Sequence, residues 1–131
     1  MFSIDYRSSK PLYQQIVDNI ELLTICGTLP PESRLPSVRS LAMELSINPN
    51  TIQKAYAELE SRGVIFTVQG RGAFISKASN QLLLKKRQDL LEQLFRLAEE
   101  ACRLGVGRED CISCCDQAYA VSKQIQGGTG K

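Results

Sequence analysis

Histidine is absent from the 131 residues. The usual general base and a common zinc ligand are therefore missing, and no Cys/His pair exists for nucleophilic chemistry. No glycine loop of the phosphate-cradling kind is present either. Asp5, Asp18 and Glu21 read as scattered surface acids, so neither enzymatic activity nor a cofactor is expected. No apolar run approaches the roughly 18 residues of a spanning helix, which excludes a membrane partner at sequence level. Met1-Phe2-Ser3-Ile4-Asp5-Tyr6-Arg7 lacks the basic-then-apolar pattern of a secretion signal, and a cytoplasmic location is expected.

Charge of one sign is also lacking. The net charge is +2, and splitting at Ala78 leaves 8 basic and 7 acidic residues on each side. Neither half is a basic arm, so any positive potential towards nucleic acid must come from local placement. Five cysteines is an odd count, four of them late in the chain. Without an export signal, free thiols in a reducing compartment are the default.

Apolar residues make up 43% of the chain, enough for a core. Ser9-Lys10-Pro11 opens a first helix, with Pro11 suited to a first-turn position. Leu12, Ile16, Ile20 and Leu23 form its stripe, widened by Tyr13 and Val17. Gly27 is a stop, and the stretch Thr28 to Pro36 holds three prolines, a stiff connection. Ser37 caps a second helix that buries Val38, Leu41, Ala42 and Leu45. Asn48 caps a third, with Pro49 in its first position and Ile52, Ala55, Tyr56 and Leu59 inward. Gly63 ends it. Val64–Val68 and Ala73–Ser76 flank Gln69-Gly70-Arg71-Gly72, a hairpin signal.

Ala78-Ser79-Asn80 reads as a short hinge. A long helix follows from about Gln81 to Leu104, with Leu83, Leu84, Leu90, Leu91, Leu94, Leu97, Ala98 and Ala101 apolar. Gly105 and Gly107 separate it from a last helix, about Arg108 to Gln124. Ile112, Cys115, Ala118, Tyr119 and Ser122 share one side of that helix. Gly127 to Lys131 reads as a frayed tail. The expected fold is mainly α with a small β-hairpin. Residues 1–78 form a winged helix-turn-helix DNA-binding domain, and residues 79–131 a two-helix dimerisation region.

In a helix-turn-helix the second helix fits the DNA major groove. With Ile52 at the centre of the inward stripe, a 100° step per residue puts Asn50, Gln53, Lys54, Ala57 and Ser61 on the opposite side. Amides suit base edges, a lysine suits phosphate or guanine, and Ala57 allows close approach. Thr51 lies on the flank, where a hydroxyl and backbone N–H groups suit phosphate. Such a face also fits an ordinary solvated helix. Arg39, in the first turn of the second helix, suits guanine or phosphate, against the rival of a salt bridge to Glu44 or Glu58. Gly70 and Gly72 permit a tight turn that offers Arg71 to a minor groove, although glycines serve any hairpin.

These segments resemble the GntR family of bacterial transcription regulators. The resemblance runs from Pro11 to Ser76. It is carried by Pro11-Leu12-Tyr13-Gln14-Gln15-Ile16, Leu35-Pro36-Ser37-Val38-Arg39, Asn50-Thr51-Ile52, Leu59-Glu60-Ser61-Arg62-Gly63 and Gln69-Gly70-Arg71-Gly72. It implies DNA contacts at Ser37, Arg39, Asn48, Pro49, Asn50, Thr51, Gln53 and the wing around Gly70. Pro49 stands where many relatives carry a basic residue, so its part is steric only. Glu32 stands where the family usually has glycine, and the local turn is expected to differ because glutamate disfavours a positive φ.

Residues Gln81 to Ile125 resemble the short C-terminal region of the YtrA-like subfamily. That resemblance implies a homodimer, and a repressor often linked to transporter operons. Physically, the apolar tail helix exceeds what a small winged domain can cover, so Leu83, Leu84, Leu90, Leu91, Leu94, Leu97, Ala98, Ile112 and Tyr119 are assigned to pairing. Two-fold pairing implies a pseudo-palindromic site in double-stranded DNA. The rival is a tail folded back on its own domain. A small-molecule effector would enter the helix seam, but no residue cluster marks its pocket.

Cys102, Cys111, Cys114 and Cys115 allow an alternative, a thiol-based metal or redox sensor with DNA binding as output. Their spacing is not that of a structural zinc site, and small hydrophobes in a dimer core explain them as well. Cys26 is expected in the core. A third reading is a winged module used only for protein contacts, which would show no salt-dependent DNA binding.

Overall fold

The computed structural model describes Phe2 and residues 4–126, with the backbone alone for 122–126. The tail expected at 127–131, and the Ser122 side chain, lie outside the described residues. Seven elements follow in order: α1 (Leu12–Ile25), α2 (Val38–Leu45), α3 (Pro49–Ser61), β1 (Ile65–Val68), β2 (Gly72–Ile75), α4 (Ser79–Arg103) and α5 (Arg108–Gln126). The mainly helical fold with one antiparallel hairpin is as expected. The chain divides into two compact units, Phe2–Leu84 and a helical one from Lys85 onward.

In the first unit, α1 buries Ile16, Val17, Ile20 and Thr24 completely. The stripe is thus rotated from the expected one. Leu23 is only half-buried, and Thr24 closes the face because its hydroxyl donates to the Ile20 carbonyl at 2.7 Å. Each fully buried aliphatic contributes about 1.5–3 kcal/mol. Gln15, also buried, ties down the N-terminal segment. Its Oε1 accepts from the Asp5 N–H (2.7 Å), and its Nε2 donates to the Asp5 and Lys10 carbonyls (2.9 and 3.0 Å).

The Ser37 hydroxyl accepts from the Ser40 N–H at 3.0 Å and starts α2. Ser46 ends it at φ 55°, and the Ile47 N–H bonds back to the Ala42 carbonyl at 3.0 Å. That closure turns the chain sharply and buries Ile47 between α2 and α3. Asn48 then caps α3, its Oδ1 accepting from the Asn50 N–H at 2.8 Å, with Pro49 at the first helical position. Ile52, Ala55, Tyr56 and Leu59 point inward, as their spacing requires. α1 and α3 are joined by Arg62, which pairs with Glu21 (3.1 Å) and Glu58 (2.8 Å). Partial burial lowers the Arg62 pKa, but the hydrogen bonds and charges of Glu58 and Glu21 outweigh it and leave a net rise.

β1 and β2 pair Ile65 with Ile75 and Phe66 with Phe74. A third extended segment lies on the other edge of β2. Ile75 N–H donates to the Ser33 carbonyl, Leu35 N–H to the Ala73 carbonyl and Glu32 N–H to the Ile75 carbonyl, at 2.9, 2.8 and 2.7 Å. The expectation that Glu32 would alter this turn is overturned. Glu32 takes φ 68°, the glycine-favoured conformation, at a strain of about 1–2 kcal/mol. Its short N–H bond to Ile75 holds the strained backbone in place.

The hinge expected at Ala78-Ser79-Asn80 is also corrected. α4 begins at Ser79, and Ser79 and Leu83 are buried with the winged unit at 0% and 5% exposure. Leu83 belongs to the core that contains Ile16, Ile52 and Ile75, not to an exposed pairing face. The periodicity of α4 is unbroken through this point, so sequence could not tell which leucines face which neighbour. Cys26, expected inside, is exposed just past the end of α1.

In the second unit, α4 from Lys85 and α5 leave most of their apolar side chains in solvent. Leu90, Leu91, Leu94, Phe95 and Leu97 are 48–67% exposed, and Ile112 and Tyr119 are 42% and 71% exposed. Ala98 is exposed as well, as is Leu84 at the end of the first unit. Cys102 and Cys114 are exposed, while Cys111 and Cys115 are half-buried.

Candidate nucleic-acid interface

α3 presents to solvent the side that its helical geometry requires. Asn50, Gln53, Lys54, Ala57 and Ser61 are exposed, and Thr51 is half-buried on the flank. Pro49 is exposed beside them and offers only its ring. Asn48 uses its carbonyl oxygen as the cap, so its amide N–H groups remain the available donors. Ser37 is exposed, with its hydroxyl oxygen already accepting a cap bond.

Two features set this face relative to the rest of the unit. Tyr56 donates to the Pro36 carbonyl at 2.7 Å, tying the middle of α3 to the residue that precedes the α2 cap. Burial pushes the Tyr56 phenol pKa well above its usual value. The Lys54 ammonium stands 4.1 Å from the centre of the Tyr13 ring on α1. The sequence offers Lys54 to a phosphate or guanine, and the aromatic face leans it towards the α1 flank of α3.

Arg39 is exposed on α2. It pairs with no carboxylate among the described residues, and Glu58, one rival partner, is held by Arg62. Gly70 takes φ 79° in the hairpin turn, with the Arg71 N–H donating to the Val68 carbonyl at 2.9 Å. Arg71 is exposed and likewise without a carboxylate partner among the described residues. An amide-rich helix face and two unpaired guanidiniums on neighbouring elements suit base edges and phosphates together. Sequence reasoning missed Arg34, whose side chain lies against the wing at Gly72. The available signal was strand alternation through Ser33-Arg34-Leu35, which turns Arg34 outward.

The cysteines do not converge on a metal site. Among the described residues no group of three or more His, Cys, Asp or Glu side chains is placed to hold an ion. No helix of the described residues is long and apolar enough to cross a membrane.

Comparison with known proteins agrees with this geometry. The family profile described as "Bacterial regulatory proteins, gntR family" matches residues 12–75. The chain is 39% identical over 129 residues to the HTH-type transcriptional repressor YtrA of Bacillus subtilis (strain 168), covering 98% of this chain and 97% of that one. It resembles the structure of a GntR family transcriptional regulator from Listeria monocytogenes at 36% identity and a TM-score of 0.65, over 86% of this chain and 98% of that one. It also resembles the DNA-binding domain of AraR, solved in complex with an operator, at 25% identity and a TM-score of 0.53 over 57% of this chain and 96% of that one. The chain thus belongs to the GntR family of DNA-binding transcription regulators.

Proposed function

We propose that the protein is a homodimeric repressor that reads a pseudo-palindromic operator. Each protomer lays α3 in the major groove. Asn50, Gln53 and the Asn48 amide face base edges, Thr51 and Ser37 lie near phosphates, and Arg39 is beside them. Lys54 serves a phosphate, and Arg71, at the turn made by Gly70, enters the adjoining groove. The observation that carries this reading is the exposed, uncompensated polar side of α3 flanked by Arg39 and Arg71. The Bacillus subtilis relative is a repressor and the AraR domain binds an operator, and both support the same reading.

Pairing through the C-terminal helices is supported by their exposed leucines. A row of half-exposed Leu90, Leu91, Leu94 and Leu97 is too apolar to stay in water. Leu84, Ala98, Ile112 and Tyr119 extend the proposed face. Residues 1–78 serve as the DNA-binding part and 79–131 as the pairing part, with Leu83 assigned to the winged core. Doubling the phosphate contacts offsets the modest charge of each chain.

A binding-site selection from random duplexes, followed by a mobility-shift titration, tests the proposal. Arg39→Ala and Asn50→Ala should each cost about 1–3 kcal/mol if they contact bases. Undiminished binding by the double variant would remove the assignment of the reading face.

A further inference from the structure

We propose that Arg34 is a further DNA contact, a phosphate-gripping guanidinium on the segment that flanks the wing. The inference rests on the DNA-binding reading above and adds a residue to that surface.

The backbone fixes where Arg34 points. Its neighbours are pinned to β2 on both sides, Ser33 by its carbonyl and Leu35 by its N–H, and Arg34 itself bridges to Phe74. Extended backbone sends alternate side chains to opposite faces. Leu35 is buried at 2% exposure, so Arg34 emerges on the outer face, where it is exposed. On that face Phe66 and Phe74 stack with ring centres 5.6 Å apart.

The side chain has a definite seat. A Cβ at Gly72 would meet the Arg34 Nε at 3.2 Å, Nη2 at 3.5 Å and Cζ at 3.8 Å. The guanidinium therefore runs across space that any other residue at 72 would fill. Gly72 takes φ 112°, which L side chains rarely adopt, so this space stays open. Arg71 is the next residue back in the chain. The Arg34 guanidinium, carried by the segment that flanks β2, thus lies at Gly72, the residue that follows Arg71 of the hairpin turn.

Neither pairs with a carboxylate among the described residues. The ion pairs of this unit, Lys10–Asp18 and those of Arg62, lie elsewhere. Two cations without a carboxylate partner, one on the wing and one on the segment beside it, favour an anion nearby. Arg34 lies along the sheet and does not project from the tip, so the ligand it fits is the phosphate backbone flanking a groove. Its planar fork of N–H donors matches phosphate oxygens.

The test uses the full chain, a mixed-sequence duplex and a duplex selected from a random pool, with affinity measured across several salt concentrations. Arg34→Gln should weaken binding to both duplexes by the same factor, about fivefold or more. The slope of log K against log salt should become shallower by about 0.9 for each phosphate that is no longer neutralised. Arg34→Lys should keep the slope and recover part of the affinity. Should Arg34→Gln lower the melting temperature, Arg34→Met, which retains the apolar stem, carries the measurement. An unchanged slope and affinity, or a loss confined to the selected duplex, overturns the phosphate role of Arg34 while leaving the DNA-binding reading intact. Failure of the unaltered protein to bind either duplex overturns both.

Discussion

The Tyr56 hydroxyl donates to the carbonyl of Pro36 across 2.7 Å, and this one bond joins α3 to the entrance of α2. Ser37, the cap of α2, follows directly, so the bond ties the start of that helix to α3. Tyr56 is buried at 6% exposure and Pro36 is half-buried, so the bond is partly withdrawn from water, which strengthens it.

Tyr56→Phe should lower stability by about 1 kcal/mol, since the Pro36 carbonyl loses its partner. A pH dependence accompanies it. Burial raises the phenol pKa in the folded state above its ordinary value of 10.0, so the unfolded chain ionises first. The stabilisation is complete below pH 10 and is lost as pH rises from there towards the folded-state value. Chemical denaturation from about pH 8 upward should show a steeper decline for the unaltered protein than for Tyr56→Phe. Parallel declines would contradict the buried phenol.

Asn48 caps α3 and is proposed to contact DNA, and substitution can separate the two. Asn48→Ala removes the helix cap and should cost about 1 kcal/mol of stability together with DNA affinity. Asn48→Asp keeps an acceptor for the Asn50 N–H but has no amide donor and adds negative charge. Its thermal midpoint should stay near that of the unaltered protein while DNA affinity falls sharply. Equal affinity for Asn48→Asp would restrict the residue to capping.

The lean of Lys54 on Tyr13 predicts unequal effects. Lys54→Ala removes a charge, and the salt slope of DNA binding should fall by about 0.9 per phosphate contact. Tyr13→Leu keeps the charge but loses its aromatic rest, worth about 0.5–1 kcal/mol at an exposed site. The slope should then persist with a small loss of affinity. A shallower slope for Tyr13→Leu would mean that the ring does more than orient the ammonium.

Leucines a few turns apart on α4 should behave differently. Leu83 is 5% exposed in the winged core, so Leu83→Ala should destabilise the fold by about 2–5 kcal/mol. Leu94, 48% exposed, should tolerate Leu94→Asp without unfolding the winged unit, yet the proposed dimer should dissociate. Sedimentation equilibrium beside thermal melting separates the two. A Leu94→Asp protein that remains dimeric would place the pairing surface elsewhere.

Local chemistry was readable from the chain itself. Ser37 and Asn48 are caps because each carries a short acceptor directly before a helical run, and both accept the expected bonds. The inward stripe of α3 and the outward side opposite it follow from helical geometry around Ile52. The hairpin follows from β-branched runs flanking Gly70 and Gly72. These signals act within a turn or two of chain, where neighbours in sequence are neighbours in space.

Decisions that join distant segments belonged to packing. Glu32 adopts a positive φ because its N–H must reach Ile75, far along the chain. Lys54 finds Tyr13, Arg34 finds the bare backbone of Gly72, and Leu83 is drawn into a core assembled from α1, α3 and the hairpin. Periodicity records that a leucine has an apolar face to hide, but not which surface hides it. Only the assembled core, where each buried contact excludes its alternatives, assigns the partner.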